Sequence, residues 1–109
     1  EKYLMAIKIS LENQNTTIVF LPVREWEDEE VIGMTTMFFA RCSQCLQRER
    51  ILGADRVSER FQWQSRDYVL HFESYSQSVW IELLCADTPD EPSSIADLYH
   101  YISQQFKES

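Results

Sequence analysis

The side chains best suited to catalysis or metal binding are an imidazole and two carboxylates in neighbouring predicted strands. His71 and Glu73 alternate within one strand and Glu82 follows in the next, so the three should share one face of an antiparallel pair, with Trp80 beside them. An imidazole with two carboxylates is suited to binding a divalent metal or to general acid/base catalysis. Because no nucleophile or Gly-rich loop accompanies them, the stronger interpretation is a solvated sheet face with no catalytic residues, metal or cofactor.

The aromatic residues predict a contact surface on that same face. Trp80 alternates with Val79 and Ile81, which places it on the less buried side of its strand, and Tyr75 lies in the preceding turn. Aromatic residues in such positions are enriched at protein interfaces. The sequence therefore favours a non-enzymatic interaction domain that binds a protein partner, or forms a homodimer, through five side chains: Trp80, His71, Glu73, Glu82 and Tyr75.

Two other functions stay open. One is a small enzyme or metal-binding protein that uses His71, Glu73 and Glu82. The other is an acidic inhibitor or nucleic-acid mimic, because 18 acidic and 10 basic residues give a net charge of −8, with five acids inside residues 25–30. The same charge argues against nucleic acid or an anionic membrane as a partner, since both are bound through Lys and Arg. No apolar run reaches the roughly 18 residues of a membrane span.

Three cysteines give an odd count, and the N-terminus shows no secretory signal, so free thiols and a cytoplasmic location are expected. Cys42 and Cys45 form a Cys-x-x-Cys motif. Redox pairs of this kind lie at a helix N-terminus, whereas these two fall on the apolar face of a predicted helix. A zinc site would need two more ligands. The sequence therefore favours buried structural thiols over redox or metal use.

The hydrophobic periodicity of the first half predicts a hairpin followed by a helix. Apolar residues alternate over 5–11, a turn follows at 13–15, and a β-branched strand occupies 16–21. A 3.6-residue period then predicts a helix from Asp28 to about Arg48. The acidic residues of its first turn favour this helix because they complement the positive N-terminal end of the helix dipole. Gly53 is expected to end this segment in a left-handed conformation.

The second half predicts a meander and a closing helix. After an acidic, Pro-containing loop at 86–92, Ser93 or Ser94 should cap a helix that carries an apolar stripe through Phe106. The order ββαβββα over residues 1–109 predicts a single α+β domain with a five-stranded antiparallel sheet and both helices on one face. Its last three strands are expected at 57–64, 68–73 and 79–84.

Several segments between residues 52 and 82 resemble a small uncharacterised bacterial family, a domain of unknown function. The resemblance is carried by Gly53-Ala54-Asp55-Arg56, by Trp63, by Phe72-Glu73-Ser74-Tyr75 and by Ser78-Val79-Trp80-Ile81-Glu82. It implies a cytoplasmic bacterial protein and brings no catalytic residues. Asp55 and Arg56 are expected either to brace a turn, through backbone hydrogen bonds and an ion pair, or to contact a ligand.

Overall fold

The computed structural model describes residues 8–14, 16–22, 24–84 and 91–106, without the side chains of 91–94. The predictions for 1–7, Asn15, Cys85 and the loop before residue 91 lie outside these residues, as does the serine cap of the last helix. None of the described helices is long and apolar enough to cross a membrane. The elements are β1 (Lys8–Glu12), β2 (Thr17–Leu21), a 3₁₀ turn (Asp28–Glu30), α1 (Val31–Arg41), β3 (Leu46–Leu52), β4 (Arg56–Trp63), β5 (Arg66–Glu73), β6 (Ser78–Leu83) and α2 (Glu91–Gln105).

The strands form one antiparallel sheet in the order β1-β2-β6-β5-β4-β3. The α+β class with an antiparallel sheet is confirmed. The predicted count of five strands is wrong, because β3 is a sixth strand, and the order is ββαββββα. The extra strand occupies Leu46–Leu52, where the sequence predicted the end of a helix and its exit.

Helix α1 ends earlier than its periodicity predicts. The Cys42 N–H still donates to the Phe38 carbonyl, but the Cys45 N–H turns back to the Cys42 carbonyl and the chain leaves the helix. The apolar spacing continues through Cys42 and Cys45 because both are buried in the same core, although they lie in a turn. Gly53 ends no helix: it lies in the β3–β4 turn with a negative φ, and its N–H donates to the Arg56 carbonyl.

Both helices cover the same face of the sheet, here called the inner face. The Phe20 ring of β2 makes edge-on contacts with Phe38 of α1 and with Phe106 at the end of α2, at centroid distances of 6.1 and 6.4 Å. Leu98 and Ile102 of α2 are fully buried in the same cluster. This confirms, for the described helices, the predicted arrangement with both helices on one face of the sheet.

The opposite, helix-free side of the sheet is the outer face. The residues that strand alternation and the pairing register place on it include Val19, Leu46, Glu49, Ile51, Arg56, Ser58, Arg60, Val69, His71, Glu73, Trp80 and Glu82.

Candidate functional site

One row of residues crosses the outer face from β4 to β2. Ser58 pairs with His71, His71 with Trp80, and Trp80 with Val19. Glu82 lies two residues further along β6 than Trp80, diagonal to His71. The prediction that His71, Glu73, Glu82 and Trp80 share one face is therefore confirmed. It follows from strand alternation together with the four-residue β5–β6 turn.

His71 is the centre of a hydrogen-bond chain. Its Nδ1 lies 2.8 Å from the Ser58 hydroxyl and its Nε2 lies 2.9 Å from a carboxylate oxygen of Glu82. Burial lowers the pKa of His71, and the hydrogen bond and charge of Glu82 oppose that shift. A neutral imidazole satisfies both contacts when Nε2–H donates to Glu82 and Nδ1 accepts from the Ser58 hydroxyl. His71 is thus held in one orientation from both sides.

Trp80 is fixed by two neighbours. The His71 ring lies 4.7 Å from the Trp80 ring between centroids, with 31° between their planes. The Arg56 guanidinium lies 5.2 Å from the Trp80 ring centroid, within the range of a cation–π contact. Trp80 remains partly exposed. The outer face therefore presents a rigid aromatic side chain to solvent.

Glu73 and Tyr75 do not join this cluster. One Glu73 oxygen accepts hydrogen bonds from the hydroxyl and the backbone N–H of Ser76, and the hydroxyl bond is the main reason why the pKa of Glu73 is lowered. Tyr75 is 88% exposed at the tip of the β5–β6 turn. Among the described residues its ring makes no contact with Trp80, so the predicted Trp80–Tyr75 patch does not form.

Asp55 and Arg56 act separately. The Asp55 backbone carbonyl accepts a hydrogen bond from the Ser74 N–H at 2.9 Å, which ties the β3–β4 turn to the end of β5. The side chain of Arg56 reaches Trp80 instead of Asp55, and no ion pair joins the two within the described part of the chain. Bracing by backbone hydrogen bonds is as predicted, and the predicted ion pair is wrong.

A groove of about 540 Å³ opens beside Trp80 where β2 and β6 meet the β5–β6 turn. Val19 and Trp80 contribute to it from the outer face, and the exposed Leu21 also lines it. Its remaining lining is Thr17, Phe20, Ser76, Gln77, Ser78 and Val79. The groove is mixed in polarity and lies next to the ordered aromatic side chain.

The chemistry available to Ser58, His71 and Glu82 is limited by their position. A serine bonded to a histidine that also binds a carboxylate is the arrangement of acyl-transfer enzymes. Such enzymes also need N–H donors aimed at the developing oxyanion. Ser58 lies in the middle of β4, whose backbone pairs with strands on both sides, and both Ser58 and His71 are buried.

In the described ranges no group of three or more His, Cys, Asp and Glu side chains is arranged to hold a metal ion.

The Cys-x-x-Cys motif lies at the edge of the inner core. Cys42 and Cys45 are both buried free thiols. The contact with Cys42 is the main cause of the raised pKa of the Cys45 thiol, and burial is the second cause. The Cys45 thiol therefore stays protonated and unreactive at neutral pH. The turn between them is anchored because the Gln44 N–H donates to the Tyr101 hydroxyl of α2 at 3.0 Å. This geometry favours the structural interpretation of the motif.

Sequence reasoning missed Ser58 and the Arg56–Trp80 contact. The alternation of β4 places Ser58 and Arg56 on the same face as His71, but pairing them with particular residues requires the register between strands. A two-residue turn at Gln64-Ser65, with φ of 52° and 67°, sets that register. The sequence predicted the turn one residue later, at 65–67.

Comparison with known protein families matches residues 7–105 to a family described as a protein of unknown function, DUF3630. The match agrees with the resemblance to an uncharacterised domain family and extends it to most of the chain. No curated protein and no solved structure matches the chain.

Proposed function

The chain belongs to the DUF3630 family, whose function is unknown, and we propose that it is a non-enzymatic domain that binds a protein partner through its outer face. The observation that carries this proposal is the partly exposed Trp80, held by His71 and Arg56 beside an open groove. Tryptophan and arginine are the residues that most often dominate the energy of protein interfaces.

The Trp80 side chain is already held in position before any partner binds, which favours a role in binding. A side chain that is already fixed loses little conformational entropy when a partner covers it. The Ser58–His71–Glu82 chain holds the imidazole against the indole, so three polar residues act together to position one aromatic residue. This gives the buried polar chain a role that needs no catalysis.

The surroundings of Trp80 define the chemistry of the partner. The groove suits one apolar side chain, while Glu82 is half-exposed and Glu73 carries a lowered pKa and stays ionised at neutral pH. The net charge of −8 attracts basic proteins at long range. The partner proposed is therefore a protein segment with an apolar anchor residue flanked by Lys or Arg. The buried free thiols fit a reducing compartment, so we place this interaction in the cytoplasm, in the bacterial setting that the resemblance implies.

The test compares three tagged proteins purified from the native host: the wild type, Trp80→Ala and Ile32→Ala. Ile32 is an exposed residue of α1, remote from the outer face, and is the matched control. We expect one protein to co-purify stoichiometrically with the wild type and with Ile32→Ala, and at least about tenfold less with Trp80→Ala, as for loss of a central aromatic anchor. Equal capture by all three would contradict the proposal. Unfolding of Trp80→Ala, seen as a lost thermal transition, would show that Trp80 is a core residue and would equally contradict it.

The acidic-inhibitor hypothesis gives a different result in the same experiment. It would use the acids of residues 25–30, in the loop and 3₁₀ turn before α1. Capture would then survive Trp80→Ala and fail when Glu27, Asp28 and Glu29 are changed to Gln or Asn.

The enzyme hypothesis has one observation in its favour, the hydrogen bond from the Ser58 hydroxyl to His71. A fluorophosphonate probe that labels the wild type and not Ser58→Ala would support an acyl-transfer activity. Because Ser58 is buried and lacks a free backbone N–H pair, we expect no labelling.

A further inference from the structure

Strand β3 forms one edge of the sheet and is exposed along its whole length. Among the described strands it is the last in the order and pairs only with β4. All seven residues from Leu46 to Leu52 are exposed. Leu46 is 54% and Ile51 is 47% exposed on the outer face. An edge strand that offers unpaired backbone groups and apolar side chains is a template for pairing with another strand.

The sequence of this strand, Leu-Gln-Arg-Glu-Arg-Ile-Leu, is almost a palindrome centred on Glu49. Two copies paired antiparallel about that centre would place Glu49 opposite Glu49, and Leu46 opposite Leu52. The structure excludes this register, because Leu46 and Leu52 lie on opposite faces of the sheet, whereas directly paired residues must share a face.

The reason for the change of face is a β-bulge between Gln47 and Glu49. Arg48 is the extra residue, and both it and Glu49 oppose Arg60 of β4. The bulge shifts the alternation by one residue, so that Leu46 and Ile51 share the outer face while Gln47 and Arg50 share the inner face. A symmetric pairing centred between Arg48 and Glu49 then matches faces at every position.

We propose that β3 is a homodimerisation edge, on which a second copy of this chain pairs antiparallel with Arg48 opposite Glu49 of the partner copy. The same register places Leu46 opposite Ile51 and Gln47 opposite Arg50. Each opposite-charge pair and each apolar pair occurs twice by symmetry, and the two copies form one continuous twelve-stranded sheet. A perpendicular two-fold axis keeps both outer faces on the same side. The dimer would therefore present its two Trp80 sites on the same side of the continuous sheet.

Arg50 supports this assignment because its charge is already committed. Its guanidinium contacts the buried carboxylate of Glu59 within the same chain, so it places no unpaired charge at the edge. Glu49 contacts Arg60 only at the surface, where both side chains are well exposed. Glu49 therefore remains accessible to Arg48 of a second copy.

The test is a charge exchange followed by light scattering and sedimentation over a range of concentrations. We expect the wild-type mass to rise with concentration from 13.0 kDa towards twice that value. Arg48→Glu and Glu49→Arg each place two like-charged pairs across the interface and should raise the dissociation constant at least about tenfold. The double variant Arg48→Glu/Glu49→Arg restores both pairs with their signs exchanged and should dimerise like the wild type. Lys8→Glu on the opposite edge strand β1 is the matched control and should change nothing.

A wild type that stays monomeric at about 1 mM would overturn the proposal. So would single variants that dimerise like the wild type, or a double variant that fails to recover while remaining folded. As a second measurement, Leu46→Cys/Ile51→Cys should form a disulfide-linked dimer under mild oxidation, and neither single variant should do so. Cross-linking by Ile51→Cys alone would indicate a different register and would also overturn the proposal. These results do not depend on Trp80, so they leave the proposed outer-face function to its own test.

Discussion

The two faces of this sheet achieve order by different means. The inner face is filled by aromatic and aliphatic side chains from two helices and five strands, and its residues are excluded from water by packing. No described element covers the outer face, whose side chains are ordered by cross-strand contacts in which Ser58, His71 and Glu82 hold Trp80. Packing tolerates little loss of volume, whereas on the outer face Trp80 and Glu82 remain in contact with water. We therefore expect the inner face to determine stability, and the outer face to be available for the proposed recognition.

Each face also contains an ion pair between β3 and β4, and the two ion pairs differ in burial as the two faces do. On the inner face Glu59 is fully buried, accepts a hydrogen bond from Gln47 and contacts Arg50. On the outer face Glu49 meets Arg60 at 2.9 Å with both side chains well exposed. The inner pair attaches the edge strand to the core, because a buried carboxylate left without partners is strongly unfavourable.

The largest effect is expected from removing volume on the inner face. Leu98→Ala should lower the free energy of unfolding by about 2–5 kcal/mol, because Leu98 is fully buried between α2 and the sheet. Chemical denaturation measures this directly. Leu52→Ala is the control, since Leu52 is 74% exposed, and should change stability little. An unchanged unfolding midpoint for Leu98→Ala would mean that α2 is peripheral to the core.

An intermediate effect is expected from neutralising the buried acid. Glu59→Gln should cost about 1–3 kcal/mol, because the fully buried side chain then loses its charged contact with Arg50. Glu49→Gln, which removes the exposed pair with Arg60, should cost less than about 1 kcal/mol. Both are measured by denaturation at low protein concentration. Equal costs would show that the two faces do not differ in how they screen charge.

The smallest effect is a pH dependence confined to the outer face. Because burial lowers the pKa of His71 below its ordinary 6.5, the unfolded chain binds a proton more readily than the folded one. The stability contributed by neutral His71 is present above the unfolded pKa and is lost as the pH falls through about 6.5 towards the folded value. The melting temperature should therefore decrease from about pH 7.5 to about pH 5.5. This decrease should be smaller in His71→Gln and unchanged in His100→Gln, the exposed control.

One result of this experiment would show that the His71 imidazole does not contribute to the stability of the sheet. If His71→Gln retains the full wild-type decrease over this pH range, the proton uptake belongs to another group and His71 does not hold the outer face together. The lowered pKa values of Glu30 and Glu73 act only below about pH 4.5 and do not overlap with this range.

The sequence by itself determined which residues face the same way. Alternation in β5 and β6 placed His71, Glu73, Glu82 and Trp80 on one face, and the 3.6-residue stripe of the last helix located Leu98 and Ile102 in the core. These features are local: a strand or a helix repeats its direction every few residues, so the amino-acid pattern records it.

Only the tertiary structure decided which residues meet. Leu46–Leu52 forms an edge strand attached by the contacts of Gln47 and Arg50 with Glu59 of the adjacent strand β4, although the apolar spacing through Cys42 and Cys45 continues the helical pattern. Ser58 joined His71 through a register that one tight turn sets and that a one-residue shift would reverse. Hydrogen-bond partners and edge pairing depend on residues distant in the chain, and no local period records them.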